Sequence, residues 1–199
     1  MIEKLTTEKI PEWAICYFWN GELEGLTNGE IEAMQELIFA LILVTVTYVV
    51  AATIKEKTLP ESISAIVYTF GKAGRWTWTL FIFICAFLLA PPLIEALDEP
   101  YQPIGFITAA SLAFCGAMPL VMNEPNTGHY ICGIIAGASS QISIMFFCWP
   151  ECLCIWMICA IPIIPLSMTD SFERSYVFYI EAFCWCSTMT ALLIHYNII

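Results

Sequence analysis

Charge is scarce in this 199-residue chain. Only 13% of its residues are Asp, Glu, Lys or Arg, about half the ~25% of an ordinary soluble domain. Basic residues are the scarcest, 7 against 18 acidic, for a net charge of −11. That balance excludes binding to nucleic acid or to an anionic lipid surface through charge. Histidine occurs only at His129 and His195. No H-E-x-x-H, G-x-S-x-G, glycine-rich phosphate loop ahead of a lysine or dinucleotide fingerprint is present, so no motif points to a catalytic residue, a metal or a cofactor. Residues 1–35 also lack an apolar run behind a basic start. Insertion into a membrane is therefore expected to begin at the first internal hydrophobic helix.

What the chain does have is apolar length. Hydrophobic residues make up 59% of it, and its mean hydropathy is +0.76. A spanning helix needs about 20 mostly apolar residues. Six stretches fit that description: residues 37–54, 76–97, 104–122, 130–149, 152–168 and 176–195. The fifth is short and carries Pro162 and Pro165. Arg75, Trp76 and Trp78 open the second, which suits a membrane interface. Pro91 and Pro92 should kink or end it, because proline removes a donor and crowds the preceding turn. The links are brief and force antiparallel neighbours. The expected architecture is all-α: one polytopic transmembrane helical bundle over residues 36–199, solvated by the lipid bilayer, with no internal repeat.

Residues 1–35 form a separate acidic segment. Glu3, Glu8, Glu12, Glu22, Glu24, Glu30, Glu32 and Glu36 crowd the first 36 positions. Such a segment is expected to meet a cationic protein partner or to stay solvated. Trp13, Tyr17, Phe18 and Trp19 suggest a small aromatic knot within it, packed locally or lying at the lipid interface. Thr27 and Glu30 stand in capping-box spacing, so the first helix should extend back to Asn28. Ile31, Met34, Leu37, Ile38 and Leu41 then share one face.

Nine cysteines fall in or beside apolar runs: Cys85, Cys115, Cys132, Cys148, Cys152, Cys154, Cys159, Cys184 and Cys186. They read as reduced packing residues. A Cys-x-Cys pair on a helix points its thiols about 200° apart, so neither Cys152/Cys154 nor Cys184/Cys186 should clamp a metal.

Ionisable and polar groups at membrane depth are the best functional pointers. Glu181, about five residues into the last span, is a candidate for a cavity or ion path, or else a carboxylate near the interface paired with Arg174. Gln141, Ser139 and Ser140 form a polar run that would line the same path or bond across helices. Glu95, after the double proline, and His129, at a helix start, are further candidates; each also reads as an interfacial residue. With six spans, His129 and His195 lie at opposite faces of the membrane, so they should not share a metal. Gly133 and Gly137 form a G-x-x-x-G that would pack against Ala109, Ala113 and Ala117, with a homo-oligomer contact as the other use.

Residues 59–145, including LPESISAIVYT, RWTWTLFIFICAFLLAPPLIE, IGFITAASLAFCGAMPLV and HYICGIIAGASSQI, resemble a group of uncharacterised small polytopic membrane proteins of gut Bacteroidales. IPEWAICYFWNGELEGLTNGEIE, residues 10–32, is similar to a short N-terminal motif of small bacterial proteins of unknown role. Those proteins are soluble, and the resemblance implies a cytoplasmic N-terminal segment. The positive-inside rule points the other way. Lys55, Lys57, Lys72, Arg75 and Arg174 would share one face, against Lys4 and Lys9 on the other. The soluble-type tail tips the balance towards N-in, in a bacterial inner membrane.

Three function classes fit, in this order. The first is a membrane-embedded accessory or interaction protein. The second is a small channel or carrier built on Glu181 and the Ser/Gln run. The third is an intramembrane enzyme acting on lipid, which would need a nucleophile–base pair.

Overall fold

The structure, a computed structural model, describes residues 26–57, 61–70, 73–121, 127–166 and 170–199. Side chains are not described at 68–69, 165–166 and 170–174. The proposed aromatic knot and the Arg174 side chain lie outside the described residues.

The first helix, α1 (Asn28–Glu56), begins where the capping box predicts. The Thr27 hydroxyl accepts from the Glu30 amide, and the Glu30 carboxylate accepts from the Thr27 amide at 2.8 Å. Two helical donors that would otherwise be orphaned are satisfied in this way. Lys57 ends α1 in the left-handed region. The rest of the chain forms α2 (Ile66–Thr69), α3 (Gly74–Glu95), α4 (Gln102–Val121), α5 (Thr127–Phe147), α6 (Glu151–Ala160), α7 (Ile163–Leu166) and α8 (Asp170–His195). Helix α8 kinks at Ser175.

Five helices are long and apolar enough to cross a membrane: α1, α3, α4, α5 and the Ser175–His195 part of α8. Large apolar side chains are exposed on all of them, from Leu43 and Ile54 to Phe87, Phe106, Ile134 and Ile180. A soluble monomer rarely shows contiguous apolar surface on this scale. Hydrocarbon is the solvent that accounts for it.

The fifth expected span departs from the rest. It stops at Ala160, turns, and resumes only as the four residues of α7. Pro162 and Pro165 supply the reason, since neither offers an amide to continue a helical ladder. The double proline of α3 does not end the helix at once. The helix runs through Pro91 and Pro92 to Glu95. The Pro92 carbonyl accepts from the Ala96 amide and from the Tyr196 hydroxyl, at 3.2 and 2.9 Å.

Helices α1, α3, α4, α5 and α8 close a ring, each packed on the next and α8 back on α1, while α6 packs on the outside of α8. Two sets of contacts define the ends of this ring. At one, Gln35 of α1 donates to the Tyr196 carbonyl at 2.9 Å, and the His195 ring packs on Phe147. At the other, residues 61–70 lie against α8. We call these the tail end and the roof end. Helices α5 and α8 therefore run parallel, and the chain must return across the membrane between Glu151 and Asp170. His129 lies at the roof end and His195 at the tail end.

The core of the tail half is apolar, with Ile38, Leu41, Leu93, Leu192 and Tyr196 buried together. The α3–α4 contact is closest at Gly116. Its carbonyl accepts from Thr79 at 2.7 Å, and a Cβ built there would stand 2.7 Å from Ile82. Gly133 and Gly137 are not pressed in this way. A Cβ on either would meet only a cysteine sulfur, Cys115 at 3.8 Å or Cys184 at 3.7 Å. Ala109 is buried on α4, while Ala113 and Ala117 are half-buried. Gly116→Ala should lower stability by about 1–3 kcal/mol through overpacking, whereas Gly133→Ala should be neutral or gain up to about 1 kcal/mol from helix propensity. Thermal unfolding of the two variants in the same detergent measures the contrast. A Gly116→Ala protein as stable as the parent would refute the close approach.

Candidate functional site

The five-helix ring encloses a cavity of about 620 Å³ in its roof half. Every ring helix contributes to it: Thr45 from α1, Trp78 and Cys85 from α3, Thr108 and Cys115 from α4, His129 and Ser140 from α5, and Glu181 and Cys184 from α8. Most of the wall is apolar.

Its polar groups are mostly held by the protein itself. Hydroxyls on these helices bond back to the carbonyl three or four residues earlier, as Thr45 does to Leu41 and Thr188 to Cys184. A hydroxyl in hydrocarbon has no water to turn to, so this is its cheapest partner. Ser140 bonds Gly137 in the same way, at 2.8 Å, and lines the cavity. Ser139 is buried in the α4–α5 seam. It donates to the Ile135 carbonyl and accepts from Thr108 at 2.8 Å.

Gln141 is turned to the other side of α5. Its carbonyl oxygen accepts from Trp156 of α6 and Ser187 of α8, both at 2.9 Å, and its amide donates to the Cys184 carbonyl at 3.2 Å. It ties three helices together and does not line the cavity. Glu95 is exposed at the tail end, away from the cavity.

Glu181 lies on the cavity wall under the roof. The roof is the short connection between α1 and α3. Residues 61–65 are irregular, and the Ile63 amide has no helical acceptor. Glu181 supplies one: its Oε2 accepts from that amide at 2.5 Å. Nearby, the Phe178 amide of α8 donates to the Glu61 carbonyl at 3.1 Å. On the other side the roof presses on α3. A Cβ at Gly74 would fall 1.8 Å from the Val67 carbonyl oxygen, so only glycine permits that approach.

His129 and Cys115 face each other on the cavity wall, with the thiol 3.4 Å from Nδ1. This resembles a nucleophile and its base. Nδ1 is 2.9 Å from the Cys115 carbonyl oxygen. A carbonyl only accepts, so Nδ1 carries a proton, which leaves Nε2, 3.9 Å from the same thiol, as the basic nitrogen of a neutral ring.

Several cavity residues had no clear signal in the sequence. Trp78 was read as interfacial beside Trp76. Two positions apart on a helix, they face nearly opposite ways: Trp76 is 70% exposed and Trp78 only 2%. Ile63 and Ser64 stood only within the LPESISAIVYT stretch. All nine described cysteines are free, and no group of three or more His, Cys, Asp or Glu residues among the described residues is placed to hold a metal ion.

Residues 7–60 are similar to DUF6926, a domain of unknown function. The matched stretch takes in most of the acidic segment and all of α1, and ends before residues 61–70. No curated protein and no solved structure matches the chain.

The roof geometry makes a specific prediction. Glu181→Ala should expose the Ile63 amide, raising its hydrogen exchange by tenfold or more, since leaving such a group unsatisfied costs about 1–3 kcal/mol. Glu181→Gln keeps an acceptor oxygen and should retain most of the protection. Equal exchange in all three proteins would show that the carboxylate does not hold the roof.

Proposed function

We propose that this is an integral protein of the bacterial inner membrane that binds a small molecule within the bilayer, as a binding or carrier protein. The cavity is the observation that carries the reading. Its volume of about 620 Å³ lies in the range of about 300–1,000 Å³ typical of ligand sites, and its apolar wall with a few convergent polar groups is the usual ligand-site chemistry.

The tail half argues against an open ion path. Below Leu89, Thr108 and Thr188 the ring is filled by buried Ile38, Leu41, Leu93, Leu192 and Tyr196. A carrier holds its ligand in such a blind cavity and needs a second conformation to release it. The accessory reading rests on residues 1–35, most of which lie outside the described residues, and it gains nothing from the geometry.

Filling the cavity tests this function. Gly137→Leu places a side chain where only the Cys184 sulfur stands near. Protein purified from membranes in mild detergent should release a small molecule on denaturation, identified by mass spectrometry, and Gly137→Leu should release at least tenfold less while unfolding at a similar temperature. Identical release from both proteins would defeat the proposal.

Orientation is a further part of it. We place both ends of the chain in the cytoplasm, on the soluble-type character of residues 10–32. The cavity then lies in the outer half of the membrane. A fluorescent protein fused after Ile199 should fold and fluoresce in cells, and alkaline phosphatase fused there should be inactive. The reverse pair of results would invert the orientation.

A further inference from the structure

The cavity has a shape that selects among ligands. Along α3 its wall runs from Trp78 to Leu89, and along α8 from Tyr176 to Thr188. At the helical rise these are about 17–18 Å. Half of a ~30 Å hydrocarbon core is about 15 Å. The cavity is thus about one leaflet deep.

It is covered towards water and open towards lipid. Ile63 and Ser64 close the roof, held on Glu181. Between α5 and α8, by contrast, the lining residues Tyr130, Ile134, Tyr176 and Ile180 are themselves 52–70% exposed. Together they form a mouth that faces sideways into the bilayer. Tyr130 and Tyr176 sit at helix starts, where interfacial aromatic residues belong.

Polarity is graded along this depth. The carboxylate of Glu181 and the indole of Trp78 lie in the roof third, and Cys85, Leu89 and Leu112 lie deeper. The Trp78 Nε1–H is buried and has no hydrogen-bond partner among the described residues. It has no surface on the cavity, so it stays a sealed donor within the wall. The carboxylate calls for a donor, and a cationic donor makes the stronger bond.

We propose that the cavity takes a single-chain amphiphile from one leaflet through the α5–α8 mouth, with a head that carries an ammonium group. The ammonium meets Glu181, and the alkyl chain lies along Cys85, Leu89 and Leu112. This rests on the reading of the chain as a small-molecule binder and adds the chemistry and the route. No bond is made or broken.

The test uses the full-length protein in phosphatidylcholine nanodiscs and two photoactivatable probes. One is a long-chain 2-amino alcohol with a diazirine in mid-chain. The other is the long-chain alcohol that lacks the amine. Adducts are mapped by mass spectrometry. The amino alcohol should label Cys85, Leu89 or Leu112, and excess unlabelled amino alcohol should abolish that labelling. Glu181→Gln, which retains an acceptor for the roof, should weaken the amino alcohol about tenfold, the size expected for one charge-assisted bond. It should leave the neutral alcohol unchanged. Gly133→Phe, which fills the mouth, should slow labelling by both probes at least tenfold.

If the neutral alcohol labels the cavity as well as the amine, or if Glu181→Gln changes nothing, the head-group assignment is wrong while the binding function stands. Labelling that Gly133→Phe leaves untouched overturns the lateral route. Should both probes mark only lipid-facing residues such as Leu43 and Phe87, the ligand class and the binding function fall together.

Discussion

Hydrocarbon offers no hydrogen bonds, and nearly every polar feature of this protein can be traced to that constraint. Helices meet it for their own backbone. Side-chain hydroxyls meet it by bonding back within the helix, as Thr45, Thr188 and Ser143 do. Groups that cannot do so are paired across the bundle: Gln141 with Trp156 and Ser187, Tyr196 with Pro92, Thr79 with Gly116. Apolar burial contributes little between helices in lipid, because the tails are as apolar as the side chains they replace. These bonds and the close α3–α4 approach at Gly116 therefore carry much of the specificity of the fold.

The same constraint explains where irregular backbone occurs. Non-helical chain at membrane depth is tolerated where protein covers it or a cavity adjoins it. Ile63 and Ser64 line the cavity, and Glu181 serves as the acceptor for the Ile63 amide. Here a carboxylate in a spanning helix has a structural use that sequence reasoning alone would assign to proton or ion handling. The α6–α7 break is the second irregular stretch. There Ile161 and Ile164 are exposed, and it is Cys152 and Ile155 of α6 that pack against Ile144, Cys148 and Ala191.

Much of the fold was legible because it depends on quantities that a sequence displays directly. Run length and hydropathy locate the long spans. Thr27 and Glu30 mark the start of α1 by their spacing, and Pro162 and Pro165 mark the weak fifth span. Prolines near a helix end are harder to read. Pro91 and Pro92 fall in the last turns of α3, where the Pro92 carbonyl finds Tyr196, a partner 104 positions along the chain. The site was legible only in part. Glu181, Ser140 and His129 stand out as polar residues among apolar ones, and the structure brings all three to the cavity wall. Gln141 stands out equally and does not reach it, because a single helical step from Ser140 turns it about 100° away. Trp78 gave no signal, since a tryptophan near a span end looks the same whether it faces lipid or the interior.

Glu181 links the roof to the cavity physically. One carboxylate has two oxygens and about four acceptor positions. The Ile63 amide occupies part of that capacity and fixes the side chain under the roof. What remains is acceptor capacity on the wall of an apolar cavity, where effective screening is far weaker than in water and a cationic donor gains correspondingly more. A side chain fixed by the fold needs no reorganisation to receive a ligand, so the roof bond also preorganises the site. A carboxylate used only to cap the connection would serve as well on the outer side of α8. Its position on the cavity wall is what joins the stability of the roof to recognition inside the bundle.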